Sequence, residues 1–181
     1  MQSIQEKLVT AVGNLVDMLE YRGIDVSELA PLRALTVDDV QKELTPEYLK
    51  SLTIQLPAVA VYFAVDFARD TVTELKDTTI VVCLQKPKPS ALVNKTAQVF
   101  HVDELLINIT KNALVPQHER VSSKDEIKRI LAQLMAEFTQ LPVIFENDAM
   151  AKYIGSKSGE LVRVIRKSKQ AGEFVVYRAV M

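Results

Sequence analysis

Tryptophan is absent from the 181-residue sequence, cysteine occurs once and histidine twice. The lone Cys83 excludes an intrachain disulfide, and its setting in Thr79-Ile80-Val81-Val82-Cys83-Leu84 makes it a small buried hydrophobe. Cys83, His101 and His118 lack the clustered spacings of a zinc site. Gly-x-Gly-x-x-Gly, Gly-x-x-x-x-Gly-Lys-Ser/Thr and Gly-x-Ser-x-Gly are missing, and with them the common phosphate cradles and the nucleophile elbow. His118 and Glu119 are neighbours whose side chains diverge on an extended segment, a poor acid/base pair. These absences argue against a self-contained active site, and no metal, cofactor or small-molecule substrate is expected. No apolar run approaches the roughly 18 residues of a membrane span, and the amphipathic N-terminus lacks the basic-then-apolar order of a secretory leader. A soluble intracellular protein without membrane contact is predicted, so the Asn-x-Thr triplets at Asn94 and Asn108 read as unglycosylated.

What is present divides into two halves. Residues 1–109 hold 10 Lys/Arg and 15 Asp/Glu, a net −5, whereas residues 110–181 hold 12 and 8, a net +4. Two domains are therefore expected, 1–109 and 110–181, the second suited either to an acidic partner or to solvated surface.

Hydrophobic spacing supplies the elements. Ile4, Leu8, Ala11, Val12, Leu15, Val16 and Leu19 form one stripe of a first helix that Gly23 can end in a left-handed cap. Thr36 before Asp38-Asp39, and Thr45-Pro46-Glu47, predict two short helices, so that residues 31–56 read as helical or irregular. Alternation over 58–67 and the apolar run 79–84 predict strands, with two helical turns between them at 69–77. A brief helix capped by Ser90 and running towards Val99, then a strand over 105–109, complete a small α/β domain. Beyond it, Ser123 through Glu126 caps an amphipathic helix of about four turns reaching Phe138, and Asp148 and Gly155 bracket a short helix. Residues 160–167 and 173–181 predict a hairpin around a five-residue loop, which makes the second half a compact α+β module.

Two basic features stand out. Residues 78–102 contain no carboxylate but carry Lys86, Lys88 and Lys95 beside Ser90 and a Pro-rich turn, a pattern able to touch phosphates or merely to keep a loop in water. Lys152, Lys157, Arg163, Arg166, Lys167, Lys169 and Arg178 outnumber Glu160 and Glu173 near the C-terminus, but strand alternation separates Arg163 and Lys167 from Arg166. Protein partners with acidic surfaces suit this arrangement as well as nucleic acid does.

Particular strings add what spacing cannot. Glu104-Leu105-Leu106-Ile107-Asn108-Ile109-Thr110, Leu114-Val115-Pro116-Gln117-His118, Gln140-Leu141-Pro142, Ala151-Lys152-Tyr153-Ile154-Gly155, Val164-Ile165-Arg166-Lys167-Ser168, Gly172 and Tyr177-Arg178 follow in order. Over residues 104–181 they resemble the C-terminal module of the fifth, jaw-forming subunit shared by eukaryotic nuclear DNA-directed RNA polymerases, a module that in archaea corresponds to a small polymerase subunit in its own right. In the N-terminal half, Tyr21-Arg22-Gly23 and Pro89-Ser90-Ala91 look like the same family.

The resemblance implies a non-catalytic subunit with an α/β N-terminal jaw domain and a small α+β C-terminal assembly domain ending in a hairpin. Its implied partners are the largest polymerase subunit, neighbouring small subunits and, without sequence preference, downstream duplex DNA. Leu114, Val115, Pro116, His118, Leu141, Pro142, Tyr153, Gly155, Arg166, Tyr177 and Arg178 are the implied interface, and Lys86, Lys88, Ser90 and Lys95 the implied DNA-proximal group. The shortened 69–77 connection and compact length also suit a version from a large DNA virus, which would work in the virion or a cytoplasmic viral factory; a cellular one would be nuclear. Ala149 where the family has proline, and Ser156 and Ser158 in the next turn, depart from the pattern. The alternatives are a free-standing DNA-binding or transcription-regulating module, or a small enzyme using Cys83 or His118.

Overall fold

A computed structural model describes residues 3–40, 45–65, 79–86, 97–168 and 172–181. The chain divides into two compact units, Met1–Ile107 and Asn108–Met181.

In the first unit, helix α1 (Ile4–Tyr21) starts at Ser3, whose hydroxyl accepts from the Glu6 amide while the Glu6 carboxylate accepts from the Ser3 amide. This reciprocal cap satisfies two otherwise orphaned donors. The expected stripe is buried from Leu8 to Leu19, and Gly23 closes the helix at φ 76°. The short helices α2 (Ala30–Arg33) and α3 (Pro46–Ser51) follow, the second capped by Thr45 Oγ1, which accepts from the Tyr48 amide at 3.3 Å. Between them Val37–Asp39 forms a 3-10 turn in which the Thr36 hydroxyl donates to Asp39 at 2.6 Å.

Strands β1 (Ile54–Gln55), β2 (Ala60–Ala64), β3 (Thr79–Cys83) and β4 (Gln98–His101) form a sheet in that order. β1 is antiparallel to β2, and β2, β3 and β4 are parallel. Central β3 is buried at every residue whereas β2 alternates, as a strand sandwiched on both sides and its more open neighbour should. Cys83 is buried and in no disulfide.

Three expectations change here. Residues 54–55 are a strand because Ile54 and Gln55 pair with Val61 and Ala60, against the helical or irregular reading of 31–56. The helix expected to run towards Val99 gives way to β4 from Gln98, where Val99 and Phe100 pair with Val81 and Val82. Residues 105–109 are not a strand: after β4, His101 Nδ1 accepts from the Asp103 amide and Glu104 from the His101 amide, winding Val102–Leu105 into a 3-10 turn, and Ile109–Lys111 form another. Such local side-chain bonds compete with strand pairing. The 3-10 turn lies along α1, where the Asn14 amide donates to the Leu105 carbonyl at 2.7 Å and Lys7 pairs with Asp103. The helical readings of 69–77 and 90–96 lie outside the described residues.

The second unit contains β5 (Gln117–Val121), α4 (Lys124–Leu134), β6 (Val143–Ile144), α5 (Ala149–Ile154), β7 (Leu161–Ser168) and β8 (Gly172–Val180). Its sheet order is β5-β7-β8-β6, antiparallel except for β6 beside β8. Ser168 pairs with Gly172, so the strands extend further than expected and enclose only 169–171, which lie outside the described residues. On one face Val121, Leu161 and Ala179 pack with Ile127 and Ile130 of α4. α4 stops after 11 residues, short of Phe138, because Met135 turns left-handed at φ 50°. Phe138 instead lies in a separate 3-10 turn. α5 has the expected bounds, with Asp148 Oδ1 accepting from the Met150 amide at 2.9 Å and Gly155 left-handed at its end.

Candidate partner-binding cleft

The second sheet face is organised around His118. In the β5-β7-β8 register His118 stands opposite Val164, and Val164 opposite Val176. Side chains directly across a pleated sheet share a face, so these three form one row. Arg166 lies two residues along β7 to one side of that row, and Arg178 two residues along β8 to the other. Their long side chains line the same open cleft, about 260 Å³ in volume, together with Phe145 and the α5 cap Asp148.

His118 is the floor, 9% exposed. Its Nδ1 lies 2.7 Å from the Pro116 carbonyl, and since a carbonyl only accepts, that nitrogen carries the proton. Burial pushes the imidazole pKa below its usual value; the Pro116 carbonyl and Asp148 oppose the shift, while Arg178 and Arg166 reinforce it. The ring is therefore neutral near pH 7. Pro116, Val143 and Phe145 contribute apolar lining, Phe145 being 65% exposed. Arg178 is held in place by donating to the Val143 carbonyl at 3.4 Å. On the opposite face Glu119 pairs with Arg163, which also meets Glu126 and stacks over Tyr177. Among the described residues no group of three His, Cys, Asp or Glu could hold a metal ion.

The family RNA polymerase Rpb5, C-terminal domain, matches residues 107–180, which include the whole cleft. DNA-directed RNA polymerase subunit Rpo5 of Methanocaldococcus jannaschii is 44% identical over 75 residues, 95% of that protein and 41% of this chain. The chain belongs to the Rpb5/Rpo5 family. Rpo5 of Methanothermobacter thermautotrophicus is 49% identical over 72 residues, 92% of its length and 40% of this chain. The Dictyostelium discoideum subunit rpabc1 of DNA-directed RNA polymerases I, II, and III is 37% identical over 83 residues, 46% of this chain but only 42% of that larger relative. The span matched by the family falls almost entirely in the second unit, an α+β body in a chain with two mixed sheets.

Of the Rpb5-like residues singled out in the sequence, the cleft gathers Pro116, His118, Arg166 and Arg178. Leu114 is 90% exposed in the turn before β5, and Val115 is half-buried. Leu141 and Tyr177 belong to the other face, packed against the α4 side of the core. Pro142 is exposed and its carbonyl accepts from the Ala179 amide at 2.9 Å. Tyr153 is buried, its hydroxyl donating to Asn108 Oδ1 at 3.2 Å, and Gly155 is the buried left-handed cap of α5; both act by shaping the unit. Sequence reading missed Val143, Ile144, Phe145 and Asp148 as cleft residues, although three consecutive apolar residues after Pro142 were a signal. In the first unit Lys86 is exposed just beyond β3, whereas Lys88, Ser90 and Lys95 lie outside the described residues.

Proposed function

We propose that the chain is a non-catalytic subunit of a multi-subunit DNA-directed RNA polymerase, seated on the largest subunit through its C-terminal unit. The observation that carries this reading is that residues 107–180 match the Rpb5 C-terminal domain and that the chain covers 95% and 92% of two archaeal Rpo5 polymerase subunits. A unit that is a whole subunit elsewhere needs no active site, only a surface. Exposed Leu114, Val143 and Phe145 supply apolar area for it, and a permanent interface of this kind commonly buries more than about 2,000 Å².

The N-terminal unit, residues 1–109 in the sequence reading, forms part of the lower jaw beside downstream duplex DNA. Lys86, Lys88, Ser90 and Lys95 contact its phosphates without reading sequence, an interaction that weakens with added salt. The subunit works where its polymerase works: the nucleus for a cellular eukaryotic enzyme, the virion or viral factory for a virus-encoded one.

Affinity purification of the tagged full chain from its native source should retain the large polymerase subunits. Recovery of the chain alone, or tight duplex binding by the isolated chain at physiological salt, would support a free-standing DNA-binding module instead. Replacing Lys86, Lys88 and Lys95 with Gln should leave incorporation intact and reduce the salt dependence of downstream DNA binding; an unchanged dependence removes those residues from the DNA path.

A further inference from the structure

Resting on the subunit reading, we infer that the cleft over His118 receives an acidic side chain, Asp or Glu, flanked by apolar residues in an extended segment of the protein partner. The two guanidiniums that line it, Arg166 and Arg178, stand on either side of the His118–Val164–Val176 row. A guanidinium offers a planar fork of donors matched to a carboxylate. Arg178 is already oriented by its bond to the Val143 carbonyl, so little rotamer freedom is lost when it engages.

A carboxylate on a peptide fits better than a phosphodiester backbone. Asp148 also lines the cleft and repels either anion alike, so it does not decide between them. The lining also includes Pro116, Val143 and exposed Phe145, which offer a phosphate nothing but can cover aliphatic or aromatic neighbours of an acidic residue. The floor is a neutral imidazole and not a third cation. The cleft is open to solvent, so a passing chain can lower one side chain into it.

The test uses the full chain assembled into its polymerase. Arg166→Glu should weaken incorporation ~10- to 100-fold in a competition against the wild-type chain, as loss of a charge-assisted pair with like-charge repulsion predicts. Lys128→Glu makes the same charge change on exposed α4, which packs on the other face, and should compete normally. A photocrosslinking residue at Phe145 should capture a partner peptide bearing Asp or Glu within a few positions of the adduct. Equal competition by Arg166→Glu, or an adduct in a segment without an acidic residue, overturns the cleft assignment while wild-type incorporation preserves the subunit reading. If Arg166→Glu instead lowers the isolated chain's affinity for duplex DNA and leaves incorporation untouched, the cleft serves phosphate and the inference is wrong. Failure of the wild-type chain to enter a polymerase refutes the function on which it rests.

Discussion

Met135→Gly should stabilise the C-terminal unit. Three helices end in the same hydrogen-bond pattern. At α1 the Ile24 amide reaches Leu19 and Gly23 reaches Glu20; at α5 Ser156 reaches Ala151 and Gly155 reaches Lys152; at α4 Ala136 reaches Leu131 at 3.1 Å and Met135 reaches Ala132 at 3.2 Å. This closure requires a left-handed residue at its centre. The first two centres are glycines at φ 76° and 70°, whereas the third is Met135 at φ 50°. An L-residue there costs roughly 1–2 kcal/mol, of which glycine's greater freedom in the unfolded chain returns about 0.4–1 kcal/mol. Met135 is 95% exposed, so deleting its side chain removes almost no buried apolar area. The net expectation is a gain of about 0.5–1 kcal/mol, a midpoint rise of roughly 2–8 °C for a unit of this size.

Hydrogen exchange at the buried Val162 and Val164 amides reports opening of this unit separately from the first, with thermal denaturation as a second measure. Gly23→Ala provides the converse: an added Cβ meets nothing within 4 Å, so backbone strain alone acts, and a loss of about 1 kcal/mol is expected in the first unit. If Met135→Gly lowers protection, the Met135 side chain makes a stabilising contact that its exposure hides, and the backbone reasoning fails.

His118 titrates with its pKa depressed, so the unfolded chain binds the proton more readily than the native one. Stability of the C-terminal unit should therefore be complete above 6.5 and fall as pH drops below it, by at most about 1.4 kcal/mol per pH unit from this group. Urea midpoints across that range should show the slope, and His118→Gln should remove this contribution. Leu161→Ala, at a fully buried position between Val121, Ala179 and α4, should cost about 2–5 kcal/mol in the same titration. Asp148→Ala removes the cap from the Met150 and Ala151 amides and should cost about 0.5–2 kcal/mol, read as lost exchange protection in α5.

The elements legible in the sequence were those whose signal is local and repeated. α1 carries its stripe over five turns with Gly23 at its end, and the Asp148 and Gly155 pair brackets α5. Errors arose where a long-range partner or an unusual residue decided the outcome. Ile54–Gln55 and Val143–Ile144 are strands only because β2 and β8 lie beside them, and two residues carry no period of their own. Gln98–His101 and residues 105–109 are both too short to carry a clear period, and only the first has a neighbour in register; the second leaves Ile107 75% exposed. The end of α4 was misplaced because methionine has no preference for the left-handed conformation that Met135 adopts.

The cleft was half legible for a related reason. Pro116, His118, Arg166 and Arg178 were each visible as residues, but their convergence depends on pairing across β5, β7 and β8. A slip of one residue in the β7–β8 register would send Arg178 to the face that carries Leu161 and α4. Val121, Leu161, Tyr177 and Ala179 resist that slip, since their shared burial against α4 is lost if either strand shifts. The apolar packing on one face thus sets the charge geometry on the other. Substitutions in the α4-side core should therefore disturb the Arg166–Arg178 arrangement without touching it, whereas surface changes on α4 should not.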